Sequence, residues 1–300
     1  MNPMLISIGG VAFLLAGLLY YAVFIEPLLI ISRKYNLSLA RPDIPSQGVQ
    51  ILHLSDFHFS GHFLDYIKIW LILKKIKTVP DLLICTGDFT DRAEGRVACQ
   101  FLLNQLNSRF GRFAVLGNHD VMKYDFKRAY REVLSGKKGG EIHSDHLEET
   151  LQTLQRSHMI VLRNQTVPVN VSGCSIQILG VDEDISGLNQ FEKMIDTIDS
   201  RALKVVIVHA PDQRDRYLAA GADLVLAGHT HGGQVCLPGI GPLILVSALP
   251  KKEIYGFHQF GKSFVHINRG VGCSRIAPFR FFCPPEIVWL SLFSNIGSKS

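Results

Sequence analysis

The stretch Phe113-Ala114-Val115-Leu116-Gly117-Asn118-His119-Asp120 decides the fold, because an apolar run ends in a tight cluster of metal-binding residue types. Four other stretches repeat the arrangement. Val49 to Leu54 leads to Asp56-Phe57-His58, and Leu82 to Cys85 leads to Gly87-Asp88. Val205 to Val208 leads to His209, and Leu224 to Ala227 leads to Gly228-His229-Thr230-His231. Apolar runs of roughly 4–8 residues closed by turn residues read as buried strands. The polar blocks therefore fall at the carboxyl ends of strands, where open α/β sheets place their ligands. Asp, His and Asn supply the oxygen and nitrogen donors that suit Mn, Fe, Zn or Mg. Seven of them on one rim would hold two metals with one carboxylate shared.

The order D-x-H, GD-x-x-D, GNHD, an isolated strand-end His, then GHTH resembles the calcineurin-like metallophosphoesterases over about residues 50–290. Gly228-His229-Thr230-His231-Gly232-Gly233-Gln234-Val235 and Pro284-Pro285-Glu286-Ile287 resemble the membrane-anchored bacterial branch of that family. The resemblance implies an α/β fold, a four-layer αββα sandwich of two mixed sheets with helices outside. It implies that Asp56, His58, Asp88 and His231 hold one metal, and that Asp88, Asn118, His209 and His229 hold the other. Asp88 would bridge. His119 would contact the phosphate and stabilise or protonate the leaving group, with Asp120 orienting its imidazole. Asn118 would also touch substrate. Two cations about 4 Å apart neutralise both ends of a phosphoester and make hydroxide available near neutral pH. Manganese is the first choice for both ions, with iron and zinc as alternatives.

Length and composition agree with a large α/β domain. The chain has 300 residues and a formal net charge of +5, with no long Lys/Arg block of the kind that binds nucleic acid. Nothing in it points to a protein partner. Six Cys, at 85, 99, 174, 236, 273 and 283, form no C-x-x-C pair, which argues against a disulfide framework or zinc ribbon. Met4 to Ile25 carries no charge and no basic residue precedes it. That length suits a single transmembrane helix more than a secretory leader. Arg33, Lys34 and Arg41 follow it, so the positive-inside rule places the catalytic domain on the cytoplasmic face of a bacterial inner membrane. The expected organisation is an anchor over 1–32, a linker over 33–48 and a catalytic domain over 49–300.

Two segments stand outside the core pattern. Phe63 to Lys77 is apolar nearly all round a helical wheel, which suits either a buried helix or one that meets lipid. In the second case Ile69 and Trp70 are candidate acyl-chain contacts. Residues 121–149 form a long, basic insertion directly after Asp120, expected as a lid beside the metals. His53, His62, His143, His146, His158, His258 and His266 are read as ordinary structural histidines. Within the resembling branch, one known role is hydrolysis of the pyrophosphate of UDP-2,3-diacylglucosamine to lipid X and UMP in lipid A assembly. Cytoplasmic topology, the apolar helix and the insertion all favour such a lipid-linked nucleotide-sugar substrate. The alternatives are a general phosphodiesterase and, from another class, a non-catalytic metal-dependent scaffold.

Overall fold

In the computed structural model, which describes residues 3–122, 142–182, 187–274 and 277–295, the predicted strands pair into two mixed sheets. The first sheet uses β1 (Ile31–Leu39), β2 (Val49–Leu54), β3 (Leu82–Thr86), β4 (Gly111–Val115), β5 (Ile160–Val161) and the last strand, β14 (Glu286–Ser294). Their order is β1-β14-β2-β3-β4-β5. The second uses β6 (Gln165–Val171), β7 (Cys174–Gly180), β8 (Leu203–Ile207), β9 (Leu224–Ala227), β12 (Gly256–Phe260) and β13 (Ser263–Ile267), in the order β12-β13-β9-β8-β7-β6. A short pair, β10 (Cys236–Leu237) and β11 (Gly241–Pro242), lies outside both sheets. The helices are α1 (Pro3–Tyr20), α2 (Phe63–Lys75), α3 (Gly95–Gln105), α4 (Asn118–Val121), α5 (Ser144–Arg156) and α6 (Arg214–Ala219).

Side-chain alternation sorts the core into layers. Ile51, Ile84 and Val115 point between the sheets and meet Ile178, Val205 and Leu226. Their neighbours Leu52, Leu83 and Ala114 point the other way, onto Ile69, Ile72, Leu102 and Leu154 of α2, α3 and α5. On the far face of the second sheet, Leu179, Val206 and Val225 pack on Phe191 and Tyr217. Strands buried on both faces read as continuous apolar runs, which is why the sequence showed so little alternation. The metal-type blocks all leave the carboxyl ends of β2, β3, β4, β8 and β9. The inner parallel strands thus deliver them to one rim.

Residues 33–48 are not a free linker. Residues 31–39 form β1, paired in parallel along β14 from Ile31↔Glu286 to Leu39↔Ser294. Leu37 and Leu39 are buried in the core between the sheets, while Asn36 and Ser38 face out. That alternation is a strand signal, and the prolines at 42 and 45 only begin after it. The helix α2 resolves both readings of its apolar surface. Ile69 is 1% exposed and belongs to the core, so it is not a lipid contact, whereas Phe63 and Trp70 are 70% and 54% exposed. Of the insertion, 123–141 lies outside the described residues. Met122 bridges Ile142, and helix begins at Ser144.

The N-terminal helical stretch Gly9–Leu28 has mean hydropathy 1.9, long and apolar enough to cross a membrane. It runs into the sheet without a spacer: Glu26 is buried and accepts the backbone N–H of Phe282 at 2.9 Å. Removing residues 1–24 should therefore leave a folded domain. Removing 1–40 should strip β1 from β14, and a protein that melts as sharply after the longer cut would contradict this pairing.

Candidate active site

Five of the candidate ligands sit in the left-handed region, which L side chains rarely adopt: Asp56 (φ 51°), His58 (48°), Asp88 (54°), His229 (69°) and His231 (50°). Each such residue costs about 1–3 kcal/mol and persists only where the surroundings fix it. The chain turns back sharply at each strand end and so aims several side chains into one volume. Two glycines make room. A Cβ on Gly117 would lie 2.1 Å from Asp88 Oδ1, and one on Gly228 would lie 1.9 Å from Ser55 Oγ.

The donors converge. Ligand atoms of Asp56, His58 and His231 lie within 4.8 Å of one another, as do those of Asp88, His209 and His229. His58, Asp88 and His119 form a third such group between them. Asp88 Oδ2 is 3.4 Å from His58 Nε2 and 3.3 Å from His209 Nε2, so this carboxylate stands between the two clusters. Asn118 Oδ1 lies 3.1 Å from His209 Nε2. The donor set, all oxygen and nitrogen with no thiolate, fits two divalent cations sharing Asp88.

Second partners set which ring nitrogen is available. His209 Nδ1–H donates to the carbonyl of Thr86 at 2.6 Å, which leaves Nε2, facing Asp88 and Asn118, as the nitrogen that can bind a metal once its proton is displaced. His58 Nδ1 faces Asp91 Oδ1 at 2.7 Å, with the same consequence for its Nε2. His231 differs. Its Nδ1 lies 3.2 Å from Nη2 of Arg280, a fully buried guanidinium that also donates to the carbonyls of Gly272, Arg269 and Cys283.

The structure exchanges the roles of two aspartates. Asp120 does not orient His119. Its carboxylate accepts the backbone N–H of Asp88 and Phe89, each at 2.8 Å, and of Gly117 at 2.9 Å. The partner of His119 is Asp91, whose Oδ1 is 2.9 Å from Nδ1 and is shared with His58. Adjacent residues at the start of α4 diverge in direction, so sequence neighbours cannot meet there, whereas Asp91 reaches across from the loop after β3. The sequence reading also missed Arg280, whereas His146 is the hydrogen-bonded structural histidine it was read as. His146 Nε2–H donates to the carbonyl of His119 at 2.9 Å, and Arg96 lies 3.0 Å from its Nδ1. A cavity of about 470 Å³ opens here beside His119, lined by Asp91, Arg92, Arg96, His143 and His146 among others. His53 and His266 are buried together with Nδ1 atoms 3.1 Å apart, and His53 Nε2 lies 2.9 Å from Thr86 Oγ1; neither belongs to a ligand cluster.

Charge follows geometry. Burial disfavours the charged form of His119, but Asp88 and Asp91 outweigh it and lift its pKa to about 9. His209 is likewise opposed by burial and raised by Asp88 and Asp56 to about 10. Asp91 is penalised by burial, yet His58 and His119 hold it well below the usual carboxylate range. Burial and Asp88 push Asp120 up to about 7 against the N–H bonds of Gly117 and Phe89.

These residues have the donor types and spacing that suit a two-metal phosphoester-hydrolysis centre. The chain belongs to the calcineurin-like phosphoesterase family, whose model matches residues 49–233. It is 30% identical over 283 residues to the "Uncharacterized metallophosphoesterase YkuE" of Bacillus subtilis, covering 92% of this chain and 90% of that protein. It is 27% identical to the UDP-2,3-diacylglucosamine pyrophosphatase LpxG of Chlamydia muridarum, over 89% of this chain and 90% of that one. It is 28% identical to the Phosphodiesterase YaeI of Escherichia coli, over 81% and 82% of the two chains. The protein is a metal-dependent phosphoester hydrolase, which removes the non-catalytic scaffold from consideration.

Two outcomes test the site. Asp91→Asn should lower turnover about 10–100-fold, as loss of a group that orients a site histidine does. Asp120→Ala should instead lower the melting temperature, since each orphaned buried N–H costs about 1–3 kcal/mol. The reverse pattern would restore the sequence-based pairing of Asp120 with His119. The second test is proton release. A raised histidine pKa stabilises the metal-free fold fully below the unfolded value, about 6.5, and that contribution is lost as pH rises through about 10. At neutral pH His209 therefore carries a proton that a metal must displace. Manganese added to metal-free protein in weak buffer should acidify it, and affinity should rise with pH. Binding without proton release would exclude His209 Nε2 as a donor.

Proposed function

We propose that this chain is a membrane-anchored dinuclear phosphoesterase that cleaves the pyrophosphate of a lipid-linked nucleotide sugar, UDP-2,3-diacylglucosamine or a close relative. The single observation that carries the phosphoesterase part is the sharing of buried Asp88 between two His/Asp clusters. The lipid part rests on three supports. An apolar helix stands at the N-terminus. α2 presents Phe63, Tyr66 and Trp70 outward at helical spacing. One relative that aligns over nearly its whole length is a UDP-2,3-diacylglucosamine pyrophosphatase. The likeness to a phosphodiesterase of similar identity supports the second reading, a broader phosphodiesterase.

Two divalent cations, manganese for preference, would be held by Asp56, His58, Asp88 and His231 on one side and by Asp88, Asn118, His209 and His229 on the other. When bound they neutralise phosphoryl charge and lower the pKa of water. The protein supplies the rest. His119, held protonated by Asp88 and Asp91, is placed to donate to the departing oxygen. Asp91 fixes that ring and His58 together, so the acid and one ligand keep a constant relation. Asn118, beside His209 Nε2, offers an amide N–H₂ to a phosphoryl oxygen. Asp120 holds the two loops carrying Asp88 and Asn118 against each other.

The orienting topology is an expectation of the same reading. Arg33, Lys34 and Arg41 follow the helix, and although Arg33 pairs with Glu286 and Arg41 with Asp43, acidic partners contribute little to insertion. A reporter fused after Ser300 should behave as cytoplasmic. The deciding experiment assays purified protein on UDP-2,3-diacylglucosamine and on bis-p-nitrophenyl phosphate, after chelation and with manganese restored. Both activities should vanish on chelation. His119→Ala should lower both by about 10²–10⁴. Trp70→Ser should lower only the first, by about tenfold or more, since losing two buried methylene equivalents at about 0.8 kcal/mol each exceeds 1.4 kcal/mol. Turnover of the small diester alone would establish the broader phosphodiesterase.

A further inference from the structure

The segment that follows the last ligand block carries more exposed apolar surface than an aqueous face needs. Leu243, Ile244, Leu245 and Val246 are consecutive and all exposed, from 51% at Leu243 to 38% at Val246. Ile240 projects from a turn between Gly239 and Gly241, both at positive φ, and Phe282 lies across the groove from it. Four adjacent outward aliphatic residues are avoided in soluble surfaces unless they bind something. The groove, about 580 Å³, is rimmed by Lys251 and Lys252, both exposed.

This surface is continuous with the foot of the apolar helix. Arg280 donates its backbone N–H to the carbonyl of Ala22 at 2.9 Å, and Phe282 donates its own to Glu26 at 2.9 Å. The rings of Tyr21 and Phe281 meet edge-on with centroids 6.3 Å apart. Phe281 in turn bridges Val235, whose carbonyl accepts the N–H of Leu243 at 2.9 Å. The helix therefore leaves the domain from the same face that displays residues 240–246.

We infer that residues 240–246 and Phe282 seat in the outer part of a lipid leaflet, beside the helix, with Lys251 and Lys252 at anionic phosphate headgroups. The inference rests on the reading of α1 as a membrane anchor. Aliphatic and aromatic side chains beside lysines are the composition that partitions at a bilayer interface. A second copy of the chain would cover the apolar part but would meet the lysine pair of its twin. Seating has a consequence for the site. Gly233, two residues after His231, packs so closely on Pro242 that a Cβ there would lie 2.3 Å from the Pro242 Cβ. The ligand block and the seated loop thus form one rigid piece, which sets the metal centre at a fixed height above the headgroups.

The test uses the full chain in vesicles of phosphatidylethanolamine and anionic phosphatidylglycerol. In a Cys273→Ser background, whose remaining cysteines are buried, single cysteines replace Phe13, Ile244, Leu245 or Gln165 and carry a nitroxide. Accessibility to oxygen, which concentrates in lipid, is compared with accessibility to a water-soluble nickel chelate. Labels at 13, 244 and 245 should favour oxygen severalfold over the label at 165. Labels at 244 and 245 that favour nickel while 13 favours oxygen would overturn the seating and leave the anchor standing. A label at 13 that favours nickel would overturn both. Spin–spin broadening at 244 that disappears on dilution with unlabelled protein would assign the surface to a second copy instead.

Discussion

Four carboxylates buried in one crevice are the constraint from which the rest of this structure follows. Asp56, Asp88 and Asp120 are at most 2% exposed, and Asp91 lies beside them, its side chain 4% exposed. Like charges taken out of water at this spacing are costly unless neutralised. Without metals the protein manages by holding protons on His119 and His209 and by pushing Asp56 and Asp120 upward. Dications do the same work better, because each places two positive charges among the carboxylates at once. The affinity for metal is thus already present in the strain and charge of the polypeptide.

That charge must be held in place by groups that are not themselves ligands. Asp120 ties the Asp88 loop to the start of α4 with three N–H bonds. Thr86 fixes His209, Asp91 fixes His58 and His119, and Arg280 abuts His231. Left-handed backbone at five ligand positions would be unstable alone, and this outer shell over-determines it. The two packed sheets beneath provide the rigid base from which the loops depart.

The strands that carry ligands were legible because the signal is local: an apolar run buried on both faces, then a turn, then donors. The convergence of the candidate ligands was legible through their order along the chain. What escaped depended on distance in sequence. β1 read as linker because its partner, β14, lies 255 residues away at Ile31↔Glu286, and its alternation is short. Asp120 read as the partner of His119 because it is adjacent, but adjacency on a helix turns side chains about 100° apart. Arg280 gave no signal, since an isolated arginine looks like surface until the carbonyls of Gly272, Arg269 and Cys283 enclose it. Helix α2 was ambiguous because one face is buried and another exposed, Ile69 inward and Trp70 outward.

The location of Arg280 ties the two ends of the molecule together. Its side chain abuts His231, while its backbone N–H meets the carbonyl of Ala22 in the apolar helix. One residue therefore touches both a ligand candidate and the root of the N-terminal segment. The neighbouring Cys283 thiol donates to the carbonyl of His231 at 3.2 Å, and its backbone N–H meets Glu26. A guanidinium with fixed donors has little freedom to follow a moving partner, so the helix root and the metal centre must keep one geometry. In an enzyme whose substrate stays in the bilayer, the reacting phosphorus is set at a depth by the lipid, and a flexible tether would spread the catalytic groups over many depths. On the proposed reading of this chain as such an enzyme, a rigid root would remove that spread before substrate arrives, which is orientation supplied by the fold rather than by binding.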